Sequence, residues 1–306
     1  MNNKFKSYLF KLSLFALLII LLDFAVSDFL LKGLLKFYGF NKKPEILLIG
    51  HSHTMLGIDN VLLENKLKKK VSKYAREGAN CADRLLMIRQ FMETNGDSVK
   101  IVTYDVDAYF LTSEGLSANS YKIFYPFMNN KKIYDFIEAN CSSKVDFTIN
   151  RFVKTARFND LNIKNSILGY LQNYRNNKFS SVDTVILKKE VANGNFRKIN
   201  FDKGLQKDFE ATLEYLESKN CLTVLLFIPT ISILNNSDSV NYNKAIAMLN
   251  QYSKEYKKVV FLNYNPKFSN KYMLFYDPIH LNPEGQKVVT ETLIADIEQL
   301  LSKRDI

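Results

Sequence analysis

The chain has 306 residues and a net charge of +11, from 42 basic and 31 acidic side chains; 47% hydrophobic and 24% charged residues are enough for an ample core and exclude disorder as the default state. The lysines are scattered, with one tight run at Lys68–Lys70, and no RNA-binding signature or finger spacing accompanies them, so nucleic acid is not an expected partner. The three cysteines, Cys81, Cys141 and Cys221, are odd in number and form no CxxC pair, which points to neither a zinc site nor a disulfide framework.

The first segment is basic and then apolar. Lys4, Lys6 and Lys11 precede a run from Leu12 to Leu22, and read more generously, Tyr8 to Val26 carries only Lys11 and Asp23 as charges. That length crosses a bilayer if both charges reach toward the interfaces. The basic flank would keep the N-terminus in the cytoplasm and send the rest outward. A cleaved signal peptide is the rival, with Ala25-Val26-Ser27 offering small residues for cleavage. The anchor is favoured because Phe29, Leu30, Leu31, Leu34, Leu35 and Phe37 continue the apolar pattern at largely helical spacing, either prolonging the helix or lying along the membrane surface. Residues 1–40 are thus expected to be an anchor with a juxtamembrane helix. Both readings place residues 41–306 outside the cytoplasm, tethered in one case and secreted in the other.

Pro44 breaks any helix arriving from the membrane, and the apolar run 45–50, ending in Gly50, reads as a buried strand. A helix over 60–69, a strand over 70–74, a helix over 81–93 and a strand over 100–106 follow. Helix 204–218 leads into the clearest buried strand, 223–228, which Pro229 stops. A helix over 241–256, a strand over 258–263 and a final helix over 284–301, opened by Pro283, complete the series. Alternating strands and helices predict an α/β fold: a flavodoxin-like parallel sheet of about five strands with helices on both faces. Between these halves, about 111–203, the pattern breaks down into Asn, Lys, Phe and Tyr with helix-like pieces at 131–139 and 160–174. This stretch is expected to be a mainly helical insertion over the active face of the sheet.

The chemistry-bearing residues lie at the two ends. Only three histidines exist, and two of them, His51 and His53, flank Ser52 directly after the first strand. Ligands of open α/β sheets meet the carboxyl ends of strands, so a serine there becomes a nucleophile if a base reaches it. The third histidine lies in Tyr276-Asp277-Pro278-Ile279-His280, just before the last helix. Asp277 could fix the tautomer of His280 and leave its other nitrogen for the Ser52 proton. His51 and His53 either line the substrate pocket or serve as a loop cap and a packed ring.

Together these blocks resemble the SGNH (GDSL-like) hydrolase superfamily. Ile46-Leu-Leu-Ile-Gly-His-Ser52 is similar to its first block, Asp277–His280 to its last, and Leu281-Asn-Pro-Glu-Gly285 to its usual continuation. The resemblance covers about 45–110 and 205–303. It implies a Ser52–His280–Asp277 triad and an oxyanion hole from the Ser52 N–H, a glycine N–H and an asparagine side chain. Gly78, in Glu77-Gly-Ala-Asn80, fits the second position. The third block departs: Thr103-Tyr-Asp-Val-Asp107 stands where an asparagine donor is usual, and Asn80 is either a substitute donor or a turn residue. The anchor, the altered block and the insertion resemble the membrane-anchored branch that serves in D-alanylation of teichoic acids and O-acetylation of exported polysaccharides. That implies an esterase or O-acyltransferase acting on acyl groups of cell-surface glycans, beside a multi-pass membrane acyltransferase, with no cofactor. The non-enzymatic alternative is a tethered glycan-binding or assembly protein of the same fold. Gly50-His-Ser-His53 also resembles the GHxH piece of calcineurin-like metallophosphoesterases, but a dinuclear site would be short of imidazoles, so no metal is expected.

Overall fold

The structure, a computed structural model, describes residues 3–112, 116–172, 176 and 178–304. The chain divides into two compact units, one of residues 1–37 and 121–173, the other of 38–120 and 174–306. The segment 111–203, expected as one insertion, is therefore shared between them.

The larger unit is built on a single parallel sheet. Its strands are β1 (Ile46–Gly50), β2 (Val71–Ala75), β3 (Ile101–Val106), β4 (Leu222–Phe227) and β5 (Val259–Asn263), in the order β2-β1-β3-β4-β5. All neighbours are parallel, with Ile46 opposite both Val71 and Ile101, and Ile101 opposite Leu222. The first four strands are buried at every position; β1 and β4 accordingly read as largely apolar runs rather than alternating ones, while β2 and β3 also bury polar residues, Lys73 and Asp105 among them. The flavodoxin-like α/β expectation holds. Chain order reverses at β1, so the crevice outside the carboxyl ends of β1 and β3 is the topological switch point.

The helices that the periodicity predicted from residue 60 onward are present, within three residues at their ends, and further, mostly short helices join them. In chain order, α1 is Asn3–Tyr38, α2 Ser52–Gly57, α3 Asn60–Leu67, α4 Cys81–Asn95, α5 Lys131–Asn140, α6 Lys144–Phe152 and α7 Asp160–Leu171. They continue with α8 Thr184–Ala192, α9 Lys203–Ser218, α10 Ser232–Ser237, α11 Ser239–Glu255, α12 Asn265–Phe268 and α13 Pro283–Arg304. On one face of the sheet, Ile46, Leu48, Val224 and Leu226 pack with Leu63 of α3 and with Val289, Leu293 and Ile297 of α13. On the other, Tyr104 of β3 meets Phe209 of α9, which in turn meets Tyr252 of α11. Among the described residues the three cysteines are free thiols, Cys81 and Cys221 buried.

The smaller unit joins α1 to α5, α6 and α7. Helix α1 runs unbroken for 36 residues, so the pattern at 29–37 prolongs the apolar helix. It is long and apolar enough to cross a membrane, as an anchor or a signal sequence would be. At about 1.5 Å per residue it extends some 54 Å, beyond the roughly 30 Å of a bilayer's hydrocarbon core.

Candidate active site

Ser52 is the first residue of α2, one step beyond β1. The short helix is fixed at both ends by remote side chains. At its start, Asp105, buried at the end of β3, accepts the N–H groups of His51 (3.3 Å) and Thr54 (3.1 Å), while the His51 Nδ1 accepts that of His53 (3.3 Å). At its end, the buried Lys73 ammonium donates to the carbonyls of Met55 (3.1 Å) and Ile58 (2.8 Å), and burial pushes the Lys73 pKa down to about 8. Gly50 is required here, because a Cβ would collide with Thr54 Oγ1 and the Asp105 side chain. No group among the described residues accepts the Ser52 N–H, which lies in the first turn, where a helix supplies no acceptor of its own.

The loop before α13 assembles itself. Asp277 Oδ1 accepts the N–H groups of Ile279 and His280, both at 2.9 Å, and Oδ2 faces His280 Nδ1 at 2.7 Å. Burial would raise the Asp277 pKa. The His280 hydrogen bond, its charge and the two backbone N–H groups outweigh that and hold the carboxyl below its usual range. Asn282 then caps α13, accepting the N–H groups of Glu284 and Gly285, and Gly285 leaves room for the Leu274 carbonyl.

Four long-range hydrogen bonds bring that loop and α13 to α2 and the turn after it. Gln286 Nε2 donates to the Leu56 carbonyl (2.8 Å), the Asp59 N–H donates to Thr290 Oγ1 (2.9 Å), and the buried Asn176 amide donates to both Leu56 and Leu281 carbonyls. The outcome is a continuous line: Asp277 Oδ2 to His280 Nδ1, and His280 Nε2 to Ser52 Oγ at 2.7 Å. Residues 228 positions apart in the chain thus share one hydrogen bond. The arrangement can move a proton from hydroxyl to imidazole while a carboxylate balances the imidazolium.

This line opens into a cavity of about 460 Å³, lined by Ser52, His51, His53, Gly78, Asn80 and Asp277 among others, a size suited to a small-molecule moiety. Gly78 has φ +76°, a left-handed conformation that favours glycine, and its N–H has no acceptor among the described residues. Asn80 caps α4 through its amide oxygen, with the reciprocal bond from the Asn80 N–H to Asp83 completing the cap. The turn role is therefore occupied, and only the amide nitrogen of Asn80 remains for a ligand.

Sequence reading passed over the ionic cluster behind Ser52. Asp107 Oδ2 lies 3.4 Å from His51 Nε2 and 3.6 Å from His53 Nδ1. Although burial would raise it, the two imidazoles and Arg84 hold the Asp107 carboxyl far below the usual range. Burial disfavours a charged His51, but Asp105 and Asp107 reverse this and raise its pKa. His53 goes the other way: burial and the charge of His51 lower it to about 4. The buried Arg84 guanidinium donates to the carbonyls of Asp105 and Asn80 and lies over the Tyr104 ring at 4.6 Å, tying α4 to β3. Arg197 stacks on Tyr109 (5.3 Å) where both line the cavity. The signal that could have found the cluster was the pair of acids at the end of an otherwise apolar strand.

His51, His53 and Asp105 hold three donor atoms within 4.8 Å of one another. Two of these residues already accept backbone N–H groups, so the set fits a hydrogen-bonded scaffold for α2 better than a cation cage.

No protein-family model matches the sequence, and no curated protein matches it. Solved structures similar to this chain are GDSL-like lipases, acylhydrolases and esterases. One is a GDSL-like lipase from Bacteroides thetaiotaomicron, 10% identical with a TM-score of 0.43, covering 86% of this chain and 90% of that one. Another is the esterase EstA of a Pseudoalteromonas species, inhibited by monoethylphosphonate, 11% identical with a TM-score of 0.40, covering 84% and 99%. The likeness is loose at these scores, and the chemistry here is carried by this chain's own residues.

Proposed function

We propose that this chain is a membrane-anchored serine esterase or O-acyltransferase that works outside the cytoplasm on ester-linked acyl groups of cell-surface glycans. The observation that carries the reading is the unbroken line Asp277–His280–Ser52 opening into the cavity of about 460 Å³. His280 Nε2 takes the Ser52 proton as Oγ attacks the acyl carbonyl, and the Ser52 and Gly78 N–H groups receive the developing oxyanion. The alcohol leaves with the proton from His280, giving an acyl-enzyme. Water or a sugar hydroxyl, deprotonated by the same imidazole, then displaces Ser52. A multi-pass membrane acyltransferase would be the natural donor of the acyl group.

Retention of the N-terminal helix is supported by its packing. Cleavage after Ser27 would remove Asp23, which accepts the N–H groups of Lys154 and Thr155 at 2.8 Å each within the smaller unit.

The second reading, an inactive tethered glycan-binding protein, draws on Asp105 and Asp107, acceptors standing where the superfamily presents an asparagine donor. One missing donor costs about 10²–10³ in kcat, which makes a slow enzyme rather than an inert one. A fluorophosphonate probe separates the readings. Covalent capture by the wild type and none by Ser52→Ala is the expected result. The variant should lose about 10⁴–10⁶ in ester turnover and keep its thermal midpoint. A folded wild type with neither labelling nor turnover would favour the binding protein.

A further inference from the structure

Helices α6 and α7 of the smaller unit are packed inside out. On α7 the buried side is polar or small: Asn162 is 1% exposed and Ser166 0%, with Asn165 and Gly169 also buried. Its outer side carries Ile163, Ile167 and Leu171, four residues apart along one face, the last 68% exposed. On α6 the one buried residue is Asn150, while Val145 (70% exposed), Ile149 and Phe152 (71%) face outward, with Val153 next to them. A helix in water shows the reverse arrangement.

The contact of α7 with α1 follows the same logic. Gly169 lies so close to Gly33 that a Cβ would collide with the Gly33 carbonyl oxygen, and Ser166 Oγ donates within 2.7 Å of the Leu30 carbonyl. Small residues at the crossing and a hydroxyl bonded across it are how helices associate in lipid, where burying leucine brings no gain. The depth is set by Asp23. Its carboxylate holds Lys154 and Thr155, just beyond α6, at the level of α1 where the run Leu12–Leu22 has ended. Lys144, Arg151 and Lys164 are exposed on these two helices, and Lys154 lies over the Phe24 ring at 4.1 Å. Cations beside outward apolar faces suit an anionic headgroup layer.

We infer that α6 and α7 lie in the headgroup–acyl boundary of the bilayer that α1 enters, with Ile163, Ile167, Leu171, Val145 and Phe152 against lipid. This rests on the anchor reading of α1, and on nothing about the Ser52 site. The smaller unit is then a shallow platform embedded in one leaflet.

The absence of Trp from the whole chain makes a clean test available. Single tryptophans are placed in the full-length protein at Phe152, at Leu18 in the apolar run, and at Val240, an exposed apolar residue of the other unit. The protein is reconstituted into phosphatidylcholine–phosphatidylglycerol vesicles with bromine high or low on the acyl chains. The expected result is blue-shifted emission for Phe152→Trp, quenched most by bromine near the headgroup, and quenching of Leu18→Trp most by deep bromine. If Leu18→Trp is quenched and Phe152→Trp no more than Val240→Trp, the platform is refuted while the anchor stands. If Leu18→Trp is not quenched either, the anchor itself fails. Blue-shifted but unquenched emission at Phe152 would mean a protein partner there instead of lipid, and would also overturn the inference.

Discussion

His53 sits against two imidazoles and two carboxylates, its ring edge-on to that of His280 at 5.5 Å, and its Nδ1 is buried without a hydrogen bond. Burial and the neighbouring His51 keep it neutral down to about pH 4, whereas in the unfolded chain it protonates near 6.5. Between those values unfolding takes up a proton, so stability falls as pH drops through that window and is unaffected by this group above it. His51, whose charged form Asp105 and Asp107 favour, works in the opposite direction. His53→Gln is expected to lose about 2 kcal/mol less stability than the wild type between pH 7 and pH 5, by chemical unfolding across a pH series. Parallel curves would assign the acid sensitivity elsewhere. What was legible at this scale was the pair of blocks themselves: Asp277 and His280 are close enough in sequence to form their turn alone. Asp105 was not legible, because its partners are backbone N–H groups 54 and 51 residues away.

Among the elements, the strands and the helices covering the sheet announced themselves through buried apolar periodicity. Helices α6 and α8 did not. α6 has a regular apolar stripe, but it is turned away from the unit's interior, and α8 buries no residue at all. Helix α2 escaped notice because its six residues are held by Asp105 and Lys73 rather than by their own pattern. The α1–α7 crossing gives an element-level test. Gly169→Leu must force the helices apart, since even a Cβ meets Gly33 and the Phe37 N–H. Limited proteolysis is expected to cut residues 159–172 faster than in the wild type, and unchanged cleavage would show that another contact holds α7 in place.

For the molecule as a whole, the decisive question is which side of the membrane the sheet unit occupies. On the anchor reading proposed above, the basic flank of Lys4, Lys6 and Lys11 ahead of the apolar run would keep the start of α1 in the cytoplasm. Protease added to intact spheroplasts is expected to digest residues beyond Pro44; complete protection would reverse the orientation. The amino-acid order alone determined the apolar leader, the parallel α/β class, and the two loops that carry hydroxyl and imidazole, because each is written in neighbouring residues. Only tertiary structure decided that those loops meet, since the link runs through α13 anchoring to α2 and through Asn176 bridging both. It also decided that polar residues of α6 and α7 turn inward. Which face of a helix is covered depends on what lies beside it, and that is a property of the packed chain.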